Sequence, residues 1–207
     1  MAEGAFFEDE AKNRTKEMIE TVESQTNAEV VVALRTRSAR YRETDYLFGF
    51  LISLVTLVSL LFLPQSFAMI LFPLDVAVGF AIGALISAFF LPLKRAMVPN
   101  RHKKENVETQ ARRAFVDLGI SQTQNRNGIL VYISLFERRV EVVSDVGIPV
   151  EAMADNWTEV TSELQAAIAD KPDLDRFLNG LVALGPLLGS VIPKTEDDVN
   201  ELSDQVQ

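Results

Sequence analysis

The chain has 207 residues, a formal net charge of −9 and no cysteine, which excludes disulfides, thiolate zinc sites and cysteine nucleophiles. So acidic a chain, with its basic residues gathered beside one apolar stretch, is a poor nucleic-acid binder, and no nucleic-acid partner is expected. The positive mean hydropathy traces to that one stretch, Tyr46 to Leu91. Outside it lie about 160 residues, enough for one modest core.

In chain order, Phe7, Ala11, Met18, Ile19 and Val22 recur at helical spacing with Thr15 inside the stripe, predicting an amphipathic helix over Glu8 to Gln25. Ala28 to Leu34 is a short apolar, β-branched run, the pattern of a buried strand. Two apolar segments follow, Tyr46 to Leu63 and Phe67 to Leu91, joined around Pro64-Gln65-Ser66. Each approaches the ~20 residues that cross a hydrocarbon layer. Pro73 predicts a break, with the regular second span from about Leu74. Asp75 is then expected at the span's edge, capping the helix after Leu74, where charge is tolerated.

Gly79, Gly83 and Ser87 fall at i, i+4, i+8 and allow a close helix approach, either against the first span or in a homodimer through the same face. Arg35, Arg37, Arg40 and Arg42 precede the first span; Lys94, Arg95, Arg101, Lys103 and Lys104 follow the second; the turn has no Lys or Arg. By the positive-inside rule this predicts a two-pass protein of the cytoplasmic (inner) membrane with both termini cytoplasmic. The acidic N-terminus carries no cleavable-signal pattern.

Beyond the hairpin, Val107, Ala111, Ala114, Phe115 and Leu118 predict a helix stopped by Gly119. Asn127-Gly128 leads into a buried strand through Phe136. A tight turn at Glu137-Arg138-Arg139 leads into a third strand from Val140 to Val146, with Glu141 outward. Asp155 is placed to cap a helix carrying Trp157, Val160, Leu164, Ala167 and Ile168. A last amphipathic helix runs from Asp173 to about Val191 and is expected to kink at Gly185-Pro186. Thr195 to Gln207 reads as a disordered acidic tail.

One helix and one strand before the hairpin cannot form an independent sheet. The first strand must therefore pair with those beyond it. This gives one discontinuous cytoplasmic α/β domain, 1–45 with 92–194, interrupted by a transmembrane helical hairpin, 46–91, and followed by a tail, 195–207. The long crossover makes strands one and two parallel, and the tight turn makes two and three antiparallel. The fold class is an α/β/α sandwich on a small mixed sheet.

Thr26-Asn27-Ala28-Glu29-Val30-Val31-Val32, Ala114-Phe115 to Leu118-Gly119-Ile120, Asn127-Gly128-Ile129-Leu130-Val131 and Arg138-Arg139-Val140-Glu141-Val142 resemble the TPM domain. That family includes thylakoid-lumen proteins of photosystem II repair, an acetylcholine-receptor accessory protein and many bacterial membrane-anchored proteins. The resemblance implies an α/β/α sandwich; some relatives are described as acid phosphatases and some bind calcium. Two departures bear on a site. Arg126 stands where the family usually has an acidic residue, and Ser144-Asp145-Val146-Gly147-Ile148-Pro149 holds one glycine where the family has several.

Asn127, Asp145 and Asp155 fall in loops at strand ends, and oxygen ligands of this kind suit calcium or magnesium. The same residue types also serve turns and caps. Arg138 and Arg139 match a phosphate's geometry, or simply an exposed turn. His102 is the sole histidine, so no serine–histidine triad is possible, and neither Gly-x-x-x-x-Gly-Lys nor Gly-x-Gly-x-x-Gly occurs. The expected function is a non-catalytic module in the lipid bilayer that binds or helps assemble a membrane-protein partner. The alternative is a divalent-metal-dependent phosphatase using Asp145 and Asp155.

Overall fold

The computed structural model describes residues 4–62, 69–195, 201, 202 and 206. The expected turn at Pro64-Gln65-Ser66 and most of the acidic tail lie outside these residues. The chain divides into two compact units, Met1–Ser38 with Lys104–Gln207, and Ala39–Lys103.

The first unit is built on a sheet of β1 (Glu29–Arg35), β2 (Gly128–Ser134) and β3 (Arg139–Ser144) in the order β1-β2-β3. β1 and β2 run parallel from Glu29 opposite Gly128 to Arg35 opposite Ser134. β2 and β3 are antiparallel, with Ile129 opposite Ser144 and Ser134 opposite Arg139. Both pairings match the expectation from chain order.

Alternation divides each strand between two cores. Val30, Val32, Leu34, Ile129, Val131 and Ile133 face a large cluster. It is completed by α1 (Asp9–Glu23), α6 (Ala154–Ala169), α7 (Leu174–Val182) and α8 (Leu184–Gly189). Val31, Ala33, Leu130 and Tyr132 face a smaller cluster completed by Val107, Ala111 and Phe115 of α5 (Asn100–Asp117). Covered on both faces, β1 and β2 need apolar residues at consecutive positions, hence their unbroken Val/Ile/Leu runs.

Several local expectations are corrected. Phe6, not Phe7, enters the core; its ring lies 6.1 Å from that of Phe177, edge to face, while Phe7 is exposed. Residues Gly4–Phe7 form a 3-10 turn, so α-helical spacing does not extend back to them. Thr15 satisfies its buried hydroxyl on the carbonyl of Ala11 at 2.8 Å. The last helix breaks at Ala183, between α7 and α8, not at Gly185-Pro186. The proline ring would clash with the carbonyl four residues earlier, that of Val182, so the helix ends there and Pro186 sits in the first turn of α8. Asp155 does not cap α6: Met153 holds that position, and Asp155 is exposed in the first turn. The tail is not wholly solvated. Leu202 packs against the α5-side cluster, and its N–H donates to Glu29 at 3.3 Å.

The second unit holds α2 (Arg42–Phe62), α3 (Phe72–Phe89) and the short α4 (Leu91–Met97). Pro73 opens α3 rather than breaking it, because the first turn needs no N–H donor. Asp75 lies within that first turn and makes no cap. The small-residue face of α3 packs on α2. A Cβ on Gly83 would stand 2.8 Å from Ile52 Cβ and 3.0 Å from Gly49 Cα, and one on Gly79 2.5 Å from Thr56 Oγ1. Of the two uses expected for these small residues, the close approach to the first span is the one seen within the chain.

Ser87, fully buried, donates to Asp45 Oδ1 at 2.8 Å, and Lys94 Nζ donates to Asp45 Oδ2 at 2.7 Å. This polar knot ties the starts of α2 and α4 to the end of α3. Outward, the helices present bare apolar side chains, among them Leu47, Phe50, Val55, Leu74, Val78 and Leu85. Arg42–Phe62 and Met69–Phe89 are each 21 residues long, and only 11% of each apolar window is buried. Both are long and apolar enough to cross a membrane.

Candidate binding site

The amino end of the β1–β2 pair holds two of the three predicted metal ligands. Arg126, at φ 53°, occupies left-handed backbone space that side chains other than glycine rarely adopt. Its guanidinium grips Asp145 through Nε at 2.7 Å and Nη2 at 2.8 Å, and the N–H of Val146 donates to Asp145 Oδ1 at 2.7 Å. The N–H of Gly147 donates to the carbonyl of Arg126 at 2.8 Å. Asn127 is buried; its amide donates to the carbonyl of Asn27, while its Oδ1 has no partner among the described residues. Asp155 is joined to neither by a hydrogen bond or ion pair among the described residues.

Asp145 and Asn127 therefore share a loop cluster, but the carboxylate is already neutralised by a bidentate arginine. A divalent cation would have to displace that guanidinium. The cluster also lies at the amino end of the parallel pair, opposite to where α/β sheets usually bind ligands. No group of three or more His, Asp or Glu side chains able to hold a metal occurs among the described residues.

The Arg126 hydrogen bond holds the Asp145 carboxyl below the ordinary carboxylate range, with the Val146 N–H adding to it against the opposing effect of burial. A depressed native pKa contributes stability that is complete above the unfolded value, about 3.9, and is lost as pH falls through the native value. Asp145→Asn is accordingly expected to lower unfolding stability by about 1–3 kcal/mol at neutral pH. Urea melts at successive pH values should show this gap closing below about pH 4. A pH-independent gap would contradict the assignment.

The carboxyl end of the pair carries features that sequence reading missed. Glu137, taken for a turn residue, is buried with Ser134. The Ser134 hydroxyl donates to Glu137 Oε2, and the Ser38 N–H donates to Oε1 at 3.0 Å. Ser38 Oγ lies 2.9 Å from Ser134 Oγ and 3.2 Å from the Tyr132 hydroxyl. The parallel ladder extends beyond β1, with Leu135 N–H donating to Arg35 O at 3.0 Å and Phe136 N–H to Thr36 O at 2.9 Å. Glu137 thus ties the chain leaving β1 to the β2–β3 turn. Arg138, at φ 55°, donates to the carbonyl of Asp170 at 2.8 Å. That bond docks the turn on the end of α6.

Beside this network, between the sheet and α5, is a cleft of about 220 Å³, with Arg35, Gln110, Arg113 and Asp117 around Tyr132 and Ala114. Tyr132 joins the two: it lines the cleft, and its hydroxyl meets Ser38. Burial pushes the Tyr132 pKa up, so the phenol stays protonated. Glu141, expected outward, lies on the α5 side of β3. Burial and the nearby Glu108 raise its pKa, while Arg112 and Lys104 oppose that shift.

No protein-family model and no curated protein sequence matches this chain. Its structure is similar to the NMR structure of the BA42 protein from the psychrophilic bacterium Bizionia argentinensis sp. nov.. The TM-score is 0.57 at 15% identity, over 96% of this chain and 92% of that one. At that identity the likeness defines the fold alone. The chain is of mixed α/β class, with a small three-stranded sheet and two helices able to span a membrane.

Proposed function

We propose that this protein is a membrane-anchored, non-catalytic module. The α2–α3 hairpin enters a lipid bilayer, and the α/β unit is held at the cytoplasmic face, where it binds or helps assemble a membrane-protein partner. The observation that carries this reading is the hairpin's exterior: two helices packed through glycines and buried hydroxyls, with only 11% of each apolar window buried. An apolar surface of this extent in water drives association or aggregation; hydrocarbon accepts it without cost. The charged residues beside the spans, with none in the connecting turn, support the orientation. The saturation of Asp145 by Arg126 favours a non-catalytic role over metal-dependent phosphatase chemistry.

The absence of cysteine makes the test direct. Single cysteines are placed at Met69, beside the turn, and at Lys171, in the α/β unit. The protein should stay in the membrane pellet after alkaline carbonate extraction. An impermeant maleimide applied to intact cells should label M69C but not K171C, with K171C labelled only after lysis. Release by carbonate would overturn insertion, and labelling of both sites in intact cells would overturn the orientation.

A further inference from the structure

We propose that the base of the hairpin unit, the end at which α2 begins and α3 finishes, binds the headgroups of acidic phospholipids. The inference rests on the membrane insertion proposed above. Residues Ala39–Lys103 carry six cations, Arg40, Arg42, Lys94, Arg95, Arg101 and Lys103, against Glu43, Asp45 and Asp75, a net +3. The rest of the chain, −9 less this +3, is net −12. Attraction to an acidic leaflet therefore has to come from this unit.

Packing sets the end at which these charges gather. Gly79 lies against Thr56, Gly83 against Ile52, and Ser87 donates to Asp45. α3 therefore runs antiparallel to α2, and Asp75, in its first turn, falls at the opposite end. The Lys94–Asp45 pair, 2.7 Å apart, cancels within the fold. At the base one carboxylate, Glu43, then stands against five cations, of which Arg40, Arg42 and Arg101 are exposed.

The apolar spans end there on exposed aromatic rings, Tyr46, Phe89 and Phe90. Arg42 precedes Tyr46 by one turn of α2, about 6 Å along the axis. Apolar run, aromatic ring and arginine thus follow the order of acyl chain, interface and phosphate in a leaflet. Local helix stability does not account for the charges. α5 opens on Arg101, His102 and Lys103 with no acidic residue in its first turn, the end at which the helix dipole disfavours cations. Acidic leaflets attract cations placed beside a span, and the guanidinium fork matches paired phosphate or carboxylate oxygens.

The test reconstitutes the full chain in phosphatidylcholine vesicles with trace spin-labelled lipid. The motionally restricted fraction in the electron paramagnetic resonance spectrum is compared for labelled phosphatidylserine and labelled phosphatidylcholine. Phosphatidylserine should be preferred about fivefold, the gain from one well-placed cation. The preference should fall towards parity in the triple variant Arg40→Gln, Arg42→Gln, Arg101→Gln, and in about 1 M salt, where screening acts within a few ångströms. Glu43→Gln should raise it, and Lys16→Gln, on α1, should leave it unchanged. Restricted phosphatidylcholine without a phosphatidylserine preference would overturn this proposal alone, as would a preference undiminished in the triple variant. No restricted lipid of either kind would overturn insertion and this proposal with it.

Discussion

Lys94→Met is expected to destabilise the unit Ala39–Lys103 by about 3–5 kcal/mol, the scale on which breaking one side of a buried ion pair acts. Lys94 is buried, with its Nζ 2.7 Å from Asp45 Oδ2. Among the described residues, removing the ammonium leaves the Asp45 carboxylate with only the Ser87 hydroxyl at 2.8 Å. The double variant Asp45→Asn, Lys94→Met should recover most of the loss, because the charge left stranded is gone and the methionine keeps the aliphatic bulk. Unfolding of all variants in the same detergent, with hydrogen exchange across α2 and α3, would measure the cycle. Equal losses in single and double variants would mean that desolvated charge does not govern this site.

Gly147→Ala should be the most damaging single methyl in the α/β unit, costing about 2–4 kcal/mol. A Cβ there would lie 2.3 Å from the carbonyl oxygen of Asn125 and 2.5 Å from that of Arg126. Neither backbone atom can retreat freely. The Gly147 N–H bonds the same Arg126 carbonyl at 2.8 Å, and the Arg126 side chain is fastened to Asp145. Gly119 provides the comparison: its φ is 72°, yet the nearest atom to an added Cβ is a Gln122 side-chain oxygen at 3.8 Å. Gly119→Ala pays only for left-handed backbone, about 1–2 kcal/mol. Chemical denaturation of the two variants should rank Gly147 first. The reverse order would show that the loop at Asn125 yields more easily than its bonding suggests.

These positions divide what could be read along the chain from what could not. Val30 to Leu34 and Ile129 to Ile133 announce buried strands because a sheet covered on both faces demands apolar residues at consecutive positions. The hairpin announces itself because a membrane-length helix needs a continuous apolar run. The lone strand before that hairpin requires partners beyond it, and the long crossover makes that pairing parallel. Each inference rests on periodicity or on chain connectivity, which are properties of neighbouring residues.

The site depended on neighbours in space. Asp145 reads as a turn residue or a ligand, and the arginine 19 positions earlier that saturates it becomes its partner only when β2 and β3 pair. Glu137 looks like a solvated turn residue until the chain after β1 returns to bury it against Ser38 and Ser134. Arg35 and Arg113 carry no common signal in sequence; the crossover through α5 alone brings them to one cleft. The strands, their pairing and the apolar helices follow from local pattern and chain topology. Which carboxylates are neutralised and which glycines are wedged do not, because electrostatics and packing act through space between residues far apart in the chain.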